Sequence, residues 1–139
     1  METLMPALAA VGIYAALNMA VLIWIAIETG RLRGKYKVSI GDGGVMHMVR
    51  IIRGHANAVE NMPMFFILMV LGALLGMPLI AAHVLGLVFT IGRALHAWHF
   101  IQEDAPGWQR GGGFGLSFLA QVVLLVGILG HGLVTMFAG

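Results

Sequence analysis

Long apolar segments separated by two polar loops dominate the pattern of this chain. The first segment covers residues 4–27, and its polar members are Tyr14 and Asn18. A helix needs about 20 apolar residues to cross a hydrocarbon core about 30 Å thick, so this segment predicts a transmembrane helix. A cleaved signal peptide is the alternative. It fits less well, because no basic residue precedes the segment and the segment exceeds the usual apolar part of a signal peptide.

The same pattern predicts three further helices. The second covers residues 45–77 and follows a Gly-Asp-Gly-Gly turn signal. The third covers 78–100 and begins at a proline, a residue that suits a helix N-terminus. The fourth covers 113–137. The sequence thus predicts an all-α membrane protein with a single domain over residues 1–139, built as a bundle of four transmembrane helices.

The second helix is unusual because its first half is polar and its second half, residues 62–77, is apolar. At 1.5 Å per residue the apolar half covers roughly 24 Å, less than the core thickness of about 30 Å. Glu60 and Asn61 are therefore predicted to lie inside the membrane. A charged side chain there costs about 2.5–3.5 kcal/mol and normally finds a partner. Arg93 on helix 3 lies at a similar depth, so we expect a Glu60–Arg93 ion pair.

Helix 2 also carries a polar stripe, because Arg53, Asn57 and Glu60 fall within about 60° of one another at 100° per residue. Two interpretations of this stripe stay open. In the structural one, the stripe holds neighbouring helices together through hydrogen bonds and an ion pair. In the functional one, it lines a binding site, since polar residues inside a membrane often face a ligand or a water-filled cavity.

The composition excludes several classes of protein and several kinds of functional site. Hydrophobic residues make up 60% of the chain and charged residues 10%, against roughly 25% charged residues in soluble domains. The eight basic residues form no stripe or recognition helix, which excludes nucleic acid as a partner. The absence of cysteine excludes disulfides and a protein thiol nucleophile. His96 and His99 are spaced like metal ligands, but no third ligand shares their face, so no metal site is predicted.

The basic residues are distributed unevenly along the chain. All of them lie in or beside two loops, over residues 28–44 and 102–112, which meet on one side of the predicted bundle. The short 72–78 turn on the other side carries no charge. Loops on the cytosolic side of a membrane carry an excess of lysine and arginine. We therefore expect both loops to be cytosolic.

The polar stripe belongs to a longer motif, Arg53-x-His55-x-Asn57-x-x-Glu60-x-x-Pro63, which opens the second of the four helices. In residue types, spacing and place, the motif closely resembles the signature of the MAPEG superfamily, the membrane-associated proteins of eicosanoid and glutathione metabolism. The likeness extends over the whole chain. The Tyr-Lys-Val-Ser…Gly-Asp-Gly-Gly run is similar to a bacterial branch of that superfamily, which implies an integral protein of a bacterial inner membrane.

The resemblance implies a homotrimer that binds glutathione between neighbouring subunits, near the cytosolic surface. Carried over by position, Arg53, Asn57 and Glu60 hold the peptide. Arg31 or Arg33 binds one of its carboxylates. Glutathione carries two carboxylates and one ammonium at neutral pH, and arginine forks suit carboxylates, so these residue types match the charges of the ligand.

The same resemblance assigns the residues around the sulfur. Arg110 faces the thiol and is the expected catalytic residue, since one arginine in a partly dry site can lower the thiol pKa by about one unit, worth about 1.4 kcal/mol. Arg93 and His96 complete the expected glutathione site. Asn61, His96 and Phe100 stand where characterised members of the superfamily have tyrosines.

These residues lead to one functional hypothesis and three alternatives. The hypothesis is a glutathione-dependent transferase or peroxidase that acts on small lipophilic electrophiles taken from the membrane lipids. The first alternative is a non-enzymatic membrane protein that binds a lipid or a small anionic ligand, and the second is a small-solute transporter. The third is a purely structural membrane subunit, in which the polar stripe only joins helices.

Overall fold

The computed structural model describes residues 4–137, which form four long helices joined by short connections. The helices are α1 (Leu4–Tyr36), α2 (Met46–Leu74), α3 (Leu79–Ile101) and α4 (Gly107–Phe137). Each of the four is long and apolar enough to cross a membrane. The prediction of an all-α bundle of four transmembrane helices is therefore confirmed.

The end of α1 differs from the prediction. The helix continues past residue 27 to Tyr36, so the first part of the predicted 28–44 loop is helical. This polar extension contains arginine and lysine, which are good helix formers in water. It ends where Lys37 adopts a left-handed φ of 55°. Hydropathy marks where the chain leaves the membrane, whereas the helix end depends on the local backbone conformation.

Two other helix bounds differ from the prediction by three residues or more, and the rest by one residue at most. α2 ends at Leu74 instead of residue 77, because Gly76 adopts a left-handed φ of 89° in the turn that leads to α3. α4 begins at Gly107, directly after a proline, instead of residue 113. The polar segment that precedes the fourth apolar run is thus already helical, and it carries Arg110 on a rigid element.

The four helices pack so that α1 and α4 lie on opposite sides of the bundle, each against both α2 and α3. A polar seam joins α1 to α3. There the Tyr14 hydroxyl lies 3.2 Å from His83 Nδ1, and the Asn18 amide donates to Thr90 Oγ1 at 2.8 Å. Hydrogen bonds of this kind help membrane helices associate, because lipid tails are as apolar as the helices themselves.

The bundle is apolar on the outside as well as inside. In its interior the Phe65 ring of α2 stacks on the Phe89 ring of α3, with centroids 3.7 Å apart. Large apolar side chains such as Ile13, Leu87 and Val126 are exposed on the outer faces. A surface of this kind is stable in hydrocarbon and not in water.

One end of the bundle collects all eight basic residues, because the end of α1, the start of α2, the end of α3 and the start of α4 meet there. This end is braced by hydrogen bonds to backbone carbonyls. Arg50 Nη2 donates to the His99 carbonyl at 2.9 Å, and His47 Nε2 donates to the Ile101 carbonyl at 2.7 Å. We refer to it as the basic end.

The orientation of the basic end gives a first testable prediction. Because lysine and arginine are retained on the cytosolic side, we expect the turn between α1 and α2 to be cytosolic and residue 139 to be outside the cytosol. Paired fusions of a reporter that is active only in the cytosol and one that is active only outside it, placed at each position, measure this. A C-terminal fusion that is active in the cytosol would show that the orientation is wrong.

Candidate functional site

A groove at the basic end lies between α2, α3 and α4. It has a volume of about 310 Å³. Its lining contains two arginines, an amide, an imidazole and two phenylalanines: Arg53, Asn57, His96, Phe100, Arg110, Gly111 and Phe114. The structure therefore brings together four of the residues that the sequence analysis assigned to one site. We refer to this cavity as the arginine groove.

The two arginines of this groove are both exposed in the single chain. Neither Arg53 nor Arg110 forms a side-chain hydrogen bond or ion pair with any residue of the 4–137 range. Arginine has five N–H donors in a planar fork and no acceptor. The groove consequently offers two guanidiniums whose donors are available to an anionic ligand.

Close packing of α3 on α4 determines where Arg110 lies. A Cβ atom on Gly113 would lie 2.5 Å from the His96 backbone nitrogen and 2.8 Å from the Gly92 carbonyl oxygen. A Cβ on Gly92 would lie 2.7 Å from the Gly113 carbonyl oxygen. The two backbones thus touch at a pair of glycines. Arg110 is one turn before this contact, which positions it over the same groove as His96.

Arg93 lies behind the groove, and its exposed fraction is 2%. Its Nε and Nη2 atoms donate to Ser117 Oγ at 3.0 and 2.6 Å, and Nη1 donates to Asn57 Oδ1 at 2.9 Å. Glu60 is exposed and forms no ion pair within the described residues. The predicted Glu60–Arg93 ion pair is therefore wrong. The rotation of α2 directs Asn57 toward Arg93 instead.

The contact with Arg93 determines which atom Asn57 presents to the groove. A guanidinium can only donate, so the Asn57 atom that faces it must be the carbonyl oxygen Oδ1. The Asn57 amide nitrogen is then free to point into the cavity that this side chain lines. Arg93 and Ser117 together position a hydrogen-bond donor in a groove that two arginines also line.

A second groove lies on the opposite side of α2, between α2 and α1. It has a volume of about 430 Å³ and is lined by Thr29, Arg33, Ile52, His55, Ala56, Val59 and Glu60. Arg33 Nη1 also donates to the Gly41 carbonyl at 3.0 Å, which ties the following turn to α1. Arg31 points elsewhere. Its side chain is 73% exposed and forms an ion pair with Glu28. Of the two predicted carboxylate ligands, Arg33 is the one that lines a groove.

Comparison with known proteins shows the family of this chain. The chain matches the MAPEG family over residues 1–130. It belongs to the MAPEG family. Membership makes it a membrane protein of the superfamily of eicosanoid and glutathione metabolism.

Two relatives show what this MAPEG protein is similar to. Inner membrane protein YecN of Escherichia coli (strain K12) is 34% identical over 100 residues, which are 72% of this chain and 76% of YecN. Uncharacterized protein sll1147 of Synechocystis sp. is 36% identical over 129 residues, which are 92% of this chain and 88% of the relative. With four helices that can span a membrane, the likeness to YecN supports a multi-pass integral protein of the inner membrane.

A third groove of this MAPEG protein lies deeper, between α2 and α4. It has a volume of about 250 Å³, and its lining is mostly apolar, with Glu60, Asn61 and Gln121 as its polar members. The rings of Phe114 and Phe118 stack with centroids 5.6 Å apart. Phe114 lines the arginine groove and Phe118 lines the deeper one, so the two cavities adjoin along α4.

The site residues predicted for this MAPEG protein thus divide among different faces of one chain. Four line the arginine groove: Arg53, Asn57, His96 and Arg110. Arg33 and Glu60 line the groove between α1 and α2. Arg93 is buried and Arg31 is exposed, and neither lines any of the three grooves described above. Ser117 was not predicted, because its role depends on the close packing of α4 on α3, which the sequence does not show.

Proposed function

We propose that this protein is a glutathione-dependent transferase or peroxidase that acts on lipophilic electrophiles at the membrane. The observation that carries the proposal is the arginine groove, where Arg53 and Arg110 have available donors and line the same cavity as the Asn57 amide. Glutathione has carboxylates that guanidiniums bind in a bidentate manner and a thiol that becomes an anion before it reacts. Two available guanidiniums and one amide donor suit both groups.

A homotrimer is the second part of the proposal. In one chain Arg33 and Arg110 line separate grooves on opposite sides of α2, so neither groove contains both arginines. In a closed ring, the groove between α1 and α2 of one subunit faces the arginine groove of the next. A ring of subunits also covers apolar outer faces, as heterologous interfaces do when their rotation closes.

The charges of such a combined site match those of glutathione. Arg33, Arg53 and Arg110 supply three positive charges, and Glu60 supplies one negative charge. Glutathione with an ionised thiol supplies three negative charges and one ammonium. Each charged group of the ligand therefore finds an opposite charge. This complementarity matters in a partly dry site, because unpaired charges there are costly.

The deeper groove gives the lipophilic substrate a place beside the thiol. It adjoins the arginine groove through the Phe114 and Phe118 rings, and most of its lining is apolar. An apolar electrophile dissolved in the bilayer can enter it without crossing water. Arg110 then stabilises the thiolate, and a pKa lowered by one unit from about 8.5 corresponds to about 1.4 kcal/mol.

The second candidate function is a non-enzymatic protein that binds a lipid headgroup or another small anion. The same observation favours it, because guanidiniums with available donors bind any carboxylate or phosphate. The two candidates differ in whether a reaction follows binding. Thermal protection by a ligand detects binding, and turnover of an electrophile detects the reaction.

The test uses the detergent-solubilised protein. Glutathione should raise its melting temperature, because a ligand that binds only the folded state stabilises it by about 2.7 kcal/mol at 100 times its Kd. Arg53→Gln should abolish most of the shift. Lys37→Gln removes the same charge at an exposed position of the basic end outside the grooves, and it should keep the shift. Protection without conjugation or peroxide reduction would favour the binding protein, and no protection would overturn the proposal.

A further inference from the structure

His96 is an unusual histidine in this bundle, because it is buried but has no hydrogen-bond partner in the described part of the chain. Its exposed fraction is 5%, and its ring packs against Phe100 with centroids 4.8 Å apart. Four other histidines each place a ring nitrogen within hydrogen-bonding distance of another residue: His47, His83, His99 and His131. Each of those four thus has at least one ring nitrogen with a partner, whereas His96 has none within the described residues.

The nitrogens of His96 open onto the arginine groove. Within residues 4–137, the fully enclosed side-chain polar atoms without a partner are Asn18 Oδ1 and His99 Nδ1, so the His96 nitrogens are not among them. The side chain lines the same cavity as Arg53 and Arg110. A buried imidazole with unused nitrogens, aimed into a cavity, is suited to bind or exchange a proton with whatever occupies that cavity.

We infer that His96 accepts the proton of the glutathione thiol, an inference that rests on the proposed function. Arg110 comes from α4 to the same groove through the Gly92–Gly113 contact, so the atom that it stabilises as an anion also lies within reach of His96. The two side chains have different roles in forming the thiolate. Arg110 stabilises the negative charge on sulfur, and His96 takes the proton that this charge leaves behind.

The step balances without any further reactant. The S–H bond breaks, its electron pair stays on sulfur, and the proton moves to a His96 ring nitrogen. The thiolate then forms a C–S bond to the electrophilic carbon, and the bond from that carbon to its leaving group breaks with its electron pair going to the leaving group. The proton on His96 finally passes to the leaving group or to water.

Charged and titratable groups from three helices surround His96. Arg53 comes from α2, Arg93 and His99 from α3, and Arg110 from α4. The three guanidiniums keep their charge throughout the working range of pH. A change in rate between about pH 6.5 and 9 therefore reports on the ligand thiol, whose ordinary pKa is about 8.5.

Two substitutions at His96 test the inference. His96→Gln keeps hydrogen-bonding atoms but has no group that holds a proton at neutral pH, and His96→Phe keeps an aromatic ring against Phe100 but has no nitrogen. His83→Gln is the matched control, because His83 lies on the same helix but bonds to Tyr14 and lines none of the grooves described above. Each variant is assayed as the full chain in detergent.

The expected result is a loss that depends on pH. Near pH 6.5 both His96 variants should show kcat/KM for conjugation lowered about tenfold, which is less than the roughly 10²–10⁴-fold that acid–base catalysis typically contributes, because Arg110 still stabilises the thiolate. Near pH 9 their rates should approach wild type, because the thiol then ionises to solvent. Affinity for S-methylglutathione, which has no thiol proton, should change less than twofold. His83→Gln should match wild type at each pH.

Other outcomes overturn the inference in distinguishable ways. An equal loss at every pH, together with weaker binding of S-methylglutathione, would make His96 a structural residue. Unchanged rates at every pH would remove it from the reaction. A wild-type protein that binds glutathione but conjugates no electrophile would overturn the catalytic proposal and this inference together, while leaving the glutathione site in place.

Discussion

Gly113→Ala is expected to destabilise the protein by about 3 kcal/mol or more. The added Cβ would lie 2.5 Å from the His96 nitrogen and 2.8 Å from the Gly92 carbonyl oxygen, and both atoms belong to the backbone of α3. Overpacking commonly costs 1–3 kcal/mol when side chains can rearrange, and here the neighbours cannot move without separating two helices. Thermal unfolding in detergent, followed by circular dichroism, measures the loss.

Gly115→Ala is the matched control for this prediction. It adds the same methyl group to the same helix, where a Cβ would meet nothing within 4 Å. We expect an unchanged or slightly higher melting temperature, since alanine is the better helix former by roughly 1 kcal/mol. Equal melting temperatures for the two variants would contradict the close contact of α3 and α4, and with it the placement of Arg110 beside His96.

The fold could be predicted because the sequence features that indicate it extend over long segments and agree with one another. The first apolar segment is long enough to cross a membrane whatever the neighbouring helices do, and the charge asymmetry relates all four helices to one another. The helix ends were harder to predict. α1 extends to Tyr36 and α4 begins at Gly107, since hydropathy describes the solvent around a residue and not its backbone conformation.

The sequence predicted which residues line the candidate site better than it predicted which of them contact one another. Helical periodicity indicated that Arg53 and Asn57 share a face, and they line one groove. Periodicity within one helix gives no information about how that helix is rotated against its neighbours. The Glu60–Arg93 pair was wrong for this reason. Ser117, which accepts two hydrogen bonds from Arg93, has no distinguishing pattern of its own in the sequence.

Glu60 is a charged residue that has no ion-pair partner within the described residues of a single chain. It is exposed and lines both the groove between α1 and α2 and the deeper groove between α2 and α4. An ionised carboxylate at membrane depth is costly when it lacks a partner. Its partners in the proposed trimer are the ammonium group of glutathione and the arginines of a neighbouring subunit. The exposure of Glu60 is thus a reason to expect subunit contacts on this face.

Substitution of Arg110 is the experiment that best distinguishes an enzyme from a binding protein. Its guanidinium lies at the start of α4, in the arginine groove and without a partner in residues 4–137. If it stabilises the thiolate, its removal should affect the sulfur more than the peptide, which Arg53 and Asn57 still hold. An S-alkylated glutathione has no thiolate, so its affinity should change little in Arg110→Ala.

Arg110→Ala should lower kcat/KM for conjugation of a lipophilic electrophile by one to two orders of magnitude, or about 1.4–2.7 kcal/mol. Loss of the positive charge raises the pKa of the bound thiol, so the rise of rate with pH should shift to higher pH. Arg110→Lys should restore the rate in part, because an ammonium keeps the charge but loses the planar fork. The measurements are pH–rate profiles beside calorimetric binding of the S-alkyl compound. Equal rates and profiles for wild type and Arg110→Ala would exclude Arg110 from the chemistry, whereas a parallel loss of S-alkyl binding would make it a ligand for the peptide instead.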